Sequence, residues 1–162
     1  MRRIMGKRGA LALIVSIAGL GAVSAGSASA APGPLTKTFS FIASANTPKT
    51  GKVILNVDGL VINARCNAQG EPVIFAFSNA DADLFGRVFD GYGRLSSIKQ
   101  SAFIKGNKGV LLSVNNGDFD ASGNVLYETY TGKVVTVNYA FDNSTTLNKR
   151  NLCTVYGSAI AS

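Results

Sequence analysis

The sequence predicts an all-β protein: a β-sandwich of about nine or ten short antiparallel strands, with a β-barrel as the alternative. Two observations point there. Beyond the N-terminal segment the apolar residues recur with a period close to two, the period of a strand with one buried face. Clusters of Gly, Asn and Asp punctuate these runs at regular spacing, as turns do in sandwiches and barrels. Sandwich is preferred because polar residues alternate with the apolar ones, which implies one wet face per sheet.

Residues 1–30 read as an address rather than as structure. Arg2, Arg3, Lys7 and Arg8 form a basic head without an acid, 9–23 is apolar, and 24–31 holds small residues with Ala28-Ser29-Ala30. Basic head, apolar core and A-x-A site, in that order, are the parts of a secretory signal peptide. An apolar core of about 15 residues is short for a bilayer span of about 20. Cleavage is expected after Ala30, by the general secretory route, with an uncleaved anchor and the twin-arginine route as alternatives. The mature chain is then 31–162, without a membrane span, and 31–36 reads as a short non-regular leader before a single domain over 37–162.

Along that domain Phe39 and Phe41 share a strand face, as do Val53, Leu55 and Val57. Leu60, Ile62, Ala64 and Cys66 form the next face, with Asn63 and Arg65 opposite. Asp58-Gly59 between these runs supplies the positive φ angles of a two-residue hairpin turn. Pro72 opens a run in which Val73, Phe75 and Phe77 take one side and read as core. A strand over 84–89 reads as broken by Gly86, 79–84 permits one helical turn, and 95–104 is ambiguous. Val110, Leu112 and Val114 alternate. Thr131-Gly132 separates 125–130 from 134–141, where Val135, Val137, Tyr139 and Phe141 share a face. The last strand puts Cys153 and Val155 on one side.

Cys66 and Cys153 are the only cysteines. Both fall on apolar strand faces of an exported chain, where thiols tend to oxidise. Neither has a C-x-x-C spacing or a helix N-terminus to lower its pKa. A structural disulfide between an early strand and the last one is expected.

Composition excludes several chemistries. The chain has no His, so it has no Ser-His-Asp triad, no Cys-His dyad and no histidine metal ligand. Sixteen Lys and Arg against nine Asp and Glu give +7. Four of those basic residues lie in the leader, and the rest are spread singly apart from Lys149-Arg150. No basic stripe is present, so no nucleic-acid partner is expected. P-loop, dinucleotide and G-x-S-x-G fingerprints are absent, and no cofactor is implied, calcium aside.

Three features carry candidate chemistry. Asp118-Phe119-Asp120-Ala121-Ser122-Gly123 matches the start of a calcium loop, with Asp118, Asp120 and Ser122 as oxygen donors. Thr129 stands where that loop needs Glu, so the same residues also read as a polar turn. Tyr92, between Gly91 and Gly93, is placed to stack on a sugar or fill a partner's pocket, or to fold back on its own domain. Paired carboxylates could hydrolyse glycosides, but only Glu128 of the nine acids falls within a clear strand. Asn143-Ser144-Thr145 reads as a polar loop.

The Ala-rich leader, Val57-Asp58-Gly59-Leu60 followed by Ala64-Arg65-Cys66-Asn67, and the final Cys153-Thr154-Val155-Tyr156-Gly157-Ser158-Ala159 together resemble the small exported all-β proteins common in actinobacteria. That resemblance implies secretion and a β-domain with a cysteine pair, and it implies no activity. The expected function is a secreted, non-enzymatic structural or surface-binding module whose partner is a cell-wall, glycan or protein surface. The alternatives are a carbohydrate- or calcium-binding module and a small carboxylate-based hydrolase.

Overall fold

The computed structural model describes residues 33–106, 108–113, 120–142 and 152–162. The expected signal peptide over 1–30, with Val114, Asp118, Asn143-Ser144-Thr145 and Lys149-Arg150, lies outside the described residues. Ten strands follow in order: β1 (Leu35–Ser44), β2 (Lys52–Val57), β3 (Leu60–Cys66), β4 (Pro72–Ser78), β5 (Ala82–Asp90), β6 (Leu95–Gln100), β7 (Val110–Leu111), β8 (Asp120–Thr129), β9 (Val134–Asp142) and β10 (Leu152–Ala161). They form two antiparallel sheets, β1-β10-β9-β8-β5-β6 and β2-β3-β4-β7, packed together as a sandwich and not closed into a barrel. β1 begins at Leu35, inside the expected leader, because Leu35 and Thr36 continue the ladder to Ala161 and Ile160 of β10.

The core sits between the sheets. Leu60, Ile62, Ala64 and Cys66 face it as their alternation predicts, and so do Phe39, Phe41, Val135, Val137, Phe141 and Val155. Tyr127 is fully buried, its hydroxyl 2.8 Å from Ser78 Oγ, and Phe103 packs edge-on against its ring. Tyr139 is buried too, and its hydroxyl donates to the Leu112 carbonyl at 2.7 Å. Burial pushes that phenol well above its ordinary pKa.

β4 overturns an expectation. Ile74, Ala76 and Ser78 face the core, whereas Val73, Phe75 and Phe77 lie half-buried on the outer face. The cause is register. Phe75 pairs with Asn63 and Val73 with Arg65, so each pair shares a side of the sheet. Turning the phenyl rings inward would carry an amide and a guanidinium into the core unpaired, at high cost. The inner rows instead match Ile74 with Ala64 and Ala76 with Ile62, large against small. Val53 also leaves its expected face: the ladder slips between Val53 and Leu55, and this β-bulge leaves Val53 exposed. Gly86 does not break β5, which runs through it, and 79–81 is a bend rather than a helical turn. The ambiguous stretch contains β6.

The hairpin turns fix the register. Asp58 and Gly59 both have positive φ, at 44° and 93°, as the two-residue turn requires. Three other hairpins share one plan, with Asn67, Asp90 or Thr129 at the first position and Gly70, Gly93 or Gly132 at the fourth. Each glycine N–H donates to the carbonyl of the first residue, at 2.9 to 3.1 Å. Each first side chain accepts the backbone N–H of the fifth residue, Glu71, Arg94 or Lys133, at 2.7 to 2.9 Å. The glycines stand at φ 77° to 87°, where a Cβ would be strained, so the residue type is set by the turn.

Candidate functional site

Along β8, β9 and β10 the even-numbered residues point out of the six-stranded sheet, and along β5 the odd ones do. Pairing sets them in rows. One row reads Tyr156, Ala140, Ser122 and Phe89. Its neighbour on one side reads Ser158, Asn138, Asn124 and Arg87. On the other side stand Thr154, Asp142 and Asp120. Tyr156 and Phe89 are 53% and 47% exposed, large rings set in water. Three strand spacings separate them, about 14 Å, and only Ala140 and Ser122 lie between.

Small residues make this face hollow. A space of about 400 Å³ is bounded by Tyr156, Ala140, Ser122 and Phe89 and ends at Asp120 and Asp142. A second, of about 330 Å³, continues over Asn124 and Asn138 beside Phe89. A third, of about 350 Å³, lies between Asn138, Tyr156 and Ser158. Shared walls make these one shallow trough. Gly157 and Gly123 lie beneath it because rings cross the sheet there. A Cβ on Gly157 would meet Phe39 Cζ at 2.5 Å, and one on Gly123 would meet Tyr139 Cζ at 2.6 Å. Glycine lets each cross-strand aromatic lie flat over its neighbour.

The acidic end has its own electrostatics. Asp142 and Asp120 are directly opposed across β9 and β8. Burial, a hydrogen bond to Asp120 and that carboxyl's charge push the Asp142 carboxyl up to about 6. Asp90 is the counter-case. Burial raises its pKa, but the Arg94 guanidinium and the backbone N–H groups of Arg94 and Tyr92 outweigh that and hold it below the usual carboxylate range. At this end of the trough burial and a like charge thus raise one carboxyl, while a cation and backbone N–H groups lower the other.

Cys66 and Cys153 are bonded at 1.98 Å and tie β3 of one sheet to β10 of the other. Both are buried. Tyr92 is 77% exposed at the tip of the β5–β6 hairpin, with the Arg94 guanidinium 5.4 Å from its ring centre. Asp90 and Gly91, at the base of that hairpin, line the acidic end of the trough. Asp118 falls outside the described residues. Asp120 and Ser122 are not in a turn: β8 starts at Asp120, so both project from one strand face toward the trough. Asp83, Asp90 and Asp142 also lie in strands, beyond the single acid expected there. Among the described residues, no three His, Cys, Asp or Glu side chains gather as a metal site.

Tyr156 and Phe89 were not singled out from the sequence. The signal was present for Tyr156, since it has the opposite parity to Cys153 and Val155 and so had to point outward. Compared with known proteins, the chain matches no family model, no curated protein and no solved structure. The site therefore rests on its own geometry.

Proposed function

We propose that this protein is an exported, non-enzymatic binding module that holds an extended carbohydrate along the outer face of the six-stranded sheet. The observation that carries the reading is the row Tyr156, Ala140, Ser122, Phe89: two exposed rings facing each other across a floor of small residues. Rings of this kind stack on the apolar faces of sugars, while Asn124, Asn138 and Ser158 beside them supply donors and acceptors for hydroxyls. An open trough suits a chain that runs across it better than a small molecule, which is usually enclosed on most sides. Export is supported by the signal-like leader and by the buried disulfide, a bond kept in oxidising compartments.

The carboxylates favour a binding role over hydrolysis: glycosidases hold the sugar between two carboxyl groups, whereas Asp120 and Asp142 stand side by side at one end of the trough, directly opposed across β8 and β9. One observation favours a second reading, calcium: Asp120, Ser122 and Asp142 all border the same hollow. A thermal melt of the secreted protein with and without calcium tests it; an unchanged melting temperature removes it.

A glycan array probed with the secreted protein tests the main reading. The expected result is binding to a class of linear glycans that is lost on Tyr156→Ala. Binding that survives both Tyr156→Ala and Phe89→Ala, or no glycan bound at all, contradicts it.

A further inference from the structure

The outer face of the four-stranded sheet carries a second hollow, of about 200 Å³, walled by Asn63, Arg65, Val73, Phe75 and Phe77 and edged by Thr50. Its origin is the register that turned the phenyl rings of β4 outward. Phe75 and Phe77 have ring centres 6.2 Å apart and planes inclined at 42°, a tilted pair that leaves space beside it. Gly109 lies against the Phe77 ring, which a Cβ there would meet at 2.6 Å.

Two polar groups in this apolar wall are under-used. Asn63 Oδ1 is buried without a hydrogen-bond partner among the described residues. Such a group is costly and needs a reason. The Arg65 guanidinium has the Lys49 carbonyl as its one polar contact among the described residues, at a long 3.4 Å. The acids of this side are engaged elsewhere: Asp58 accepts from Lys133 Nζ at 3.0 Å, and Glu71 accepts from Asn67 Nδ2 at 2.7 Å. Lys49, Lys52 and Lys108 add positive charge on the neighbouring β2 and on the loops that flank the sheet.

We propose that this hollow binds a small aromatic carboxylate bearing a ring hydroxyl or amine. The ring packs against Phe75, Phe77 and Val73, where offset or edge-on contact with another ring is favourable. The carboxylate takes the fork of Arg65, whose planar donors match two carboxylate oxygens. The ring hydroxyl or amine gives Asn63 Oδ1 the donor it lacks, after a turn about the soft terminal torsion of the amide. The volume fits a single ring and is below that of pockets for larger ligands, about 300–1,000 Å³. This site is separate from the carbohydrate face and does not depend on it.

The test is titration of the secreted, disulfide-bonded protein with 4-hydroxybenzoate, followed by amide chemical shifts. Saturable shifts confined to β3 and β4 around Asn63, Arg65, Phe75 and Phe77 are expected. Arg65→Gln, a change at an exposed side chain, weakens binding by about tenfold or more, and so does replacing the probe with 4-hydroxybenzyl alcohol. Benzoate, which lacks the hydroxyl, binds more weakly than the probe. Tyr156→Ala leaves the titration unchanged, and a melting temperature equal to that of the parent shows that Arg65→Gln is folded. The proposal is overturned by an absence of saturable shifts at millimolar probe, by shifts that map elsewhere, or by equal affinity for the acid and the alcohol.

Discussion

Across the middle of the six-stranded sheet the outward positions are Ser122, Asn124, Asn138, Ala140 and Ser158, framed by the exposed rings of Phe89 and Tyr156. Across the four-stranded sheet they are Val61, Asn63, Arg65, Val73, Phe75 and Phe77, all but Arg65 half-buried. Charge divides the same way. Among the described residues, the four-stranded sheet and its loops carry Lys49, Lys52, Arg65, Lys105 and Lys108 against Asp58 and Glu71. The six-stranded side adds the opposed pair Asp120 and Asp142. One face is a long polar trough with an acidic end; the other is a compact apolar hollow with a basic edge. An apolar stripe in a strand therefore does not by itself mark the inside. In β4 both parities are apolar, and the partner strand decides which one is buried.

The largest effect should come from cutting the covalent tie between the two sheets. The bond spans 87 residues of sequence, and closing a loop of that size is worth about 4–5 kcal/mol in the chain-entropy model. Replacing Cys66 and Cys153 with Ala should lower the urea-unfolding free energy by about that amount. A loss below about 1 kcal/mol would mean that the sheets hold each other without the bond. Next comes the trough itself. Removing both Tyr156 and Phe89 side chains should cost about 2 kcal/mol or more in glycan binding, as buried aromatic anchors do. It should leave the melting temperature and the hollow on the other sheet unaffected, since both rings are exposed and contribute little to the core.

A smaller effect separates the acidic end from the basic edge. The folded state holds the Asp142 proton more tightly than the unfolded chain does, because its carboxyl is raised to about 6 from an ordinary value near 4. Stability is therefore greatest at and below about pH 4 from this group and falls as pH rises toward 6. Asp142→Asn should remove that slope and stabilise the protein at pH 7 by about 0.2–1 kcal/mol, the scale of a like-charge cross-strand pair. Melting temperatures of the two proteins between pH 4 and 7 check it, and parallel profiles would contradict it. The smallest effect is at the hairpin tip. Tyr92→Ala should change stability by no more than about 0.5 kcal/mol, as surface substitutions do, and a larger loss in melts would show that its contact with Arg94 supports the hairpin.

Much of the fold was legible because its cues are local. The parity of Leu60 to Cys66, the Asp58-Gly59 turn and the placing of both cysteines on apolar faces each rest on a few neighbouring residues, and the strands and the bond follow them. The inversion of β4 was not legible, because it depends on pairing Phe75 with Asn63, a relation between strands. Val53 escaped for a similar reason, since a bulge shifts parity without a mark in the sequence. Asp120-Ala121-Ser122-Gly123 carries turn residues, yet pairs on both sides with Phe141, Ala140 and Phe89 and so is drawn into a strand. The shared hairpin plan was partly visible as Asn67 with Gly70, Asp90 with Gly93 and Thr131-Gly132; what the sequence concealed was the side chain of the first residue holding the fifth. The trough needed the register of four strands before Tyr156 and Phe89 could be seen to face each other.

The carbohydrate reading is tested most directly by chemical-shift mapping of the disulfide-bonded protein against a panel of soluble linear oligosaccharides. At least one member is expected to move the amides of Ser122, Asn124, Asn138 and Ala140 together with the ring signals of Tyr156 and Phe89, with a change that saturates. A panel that leaves all six unmoved, or a sugar whose shifts fall on the four-stranded sheet instead, would contradict it.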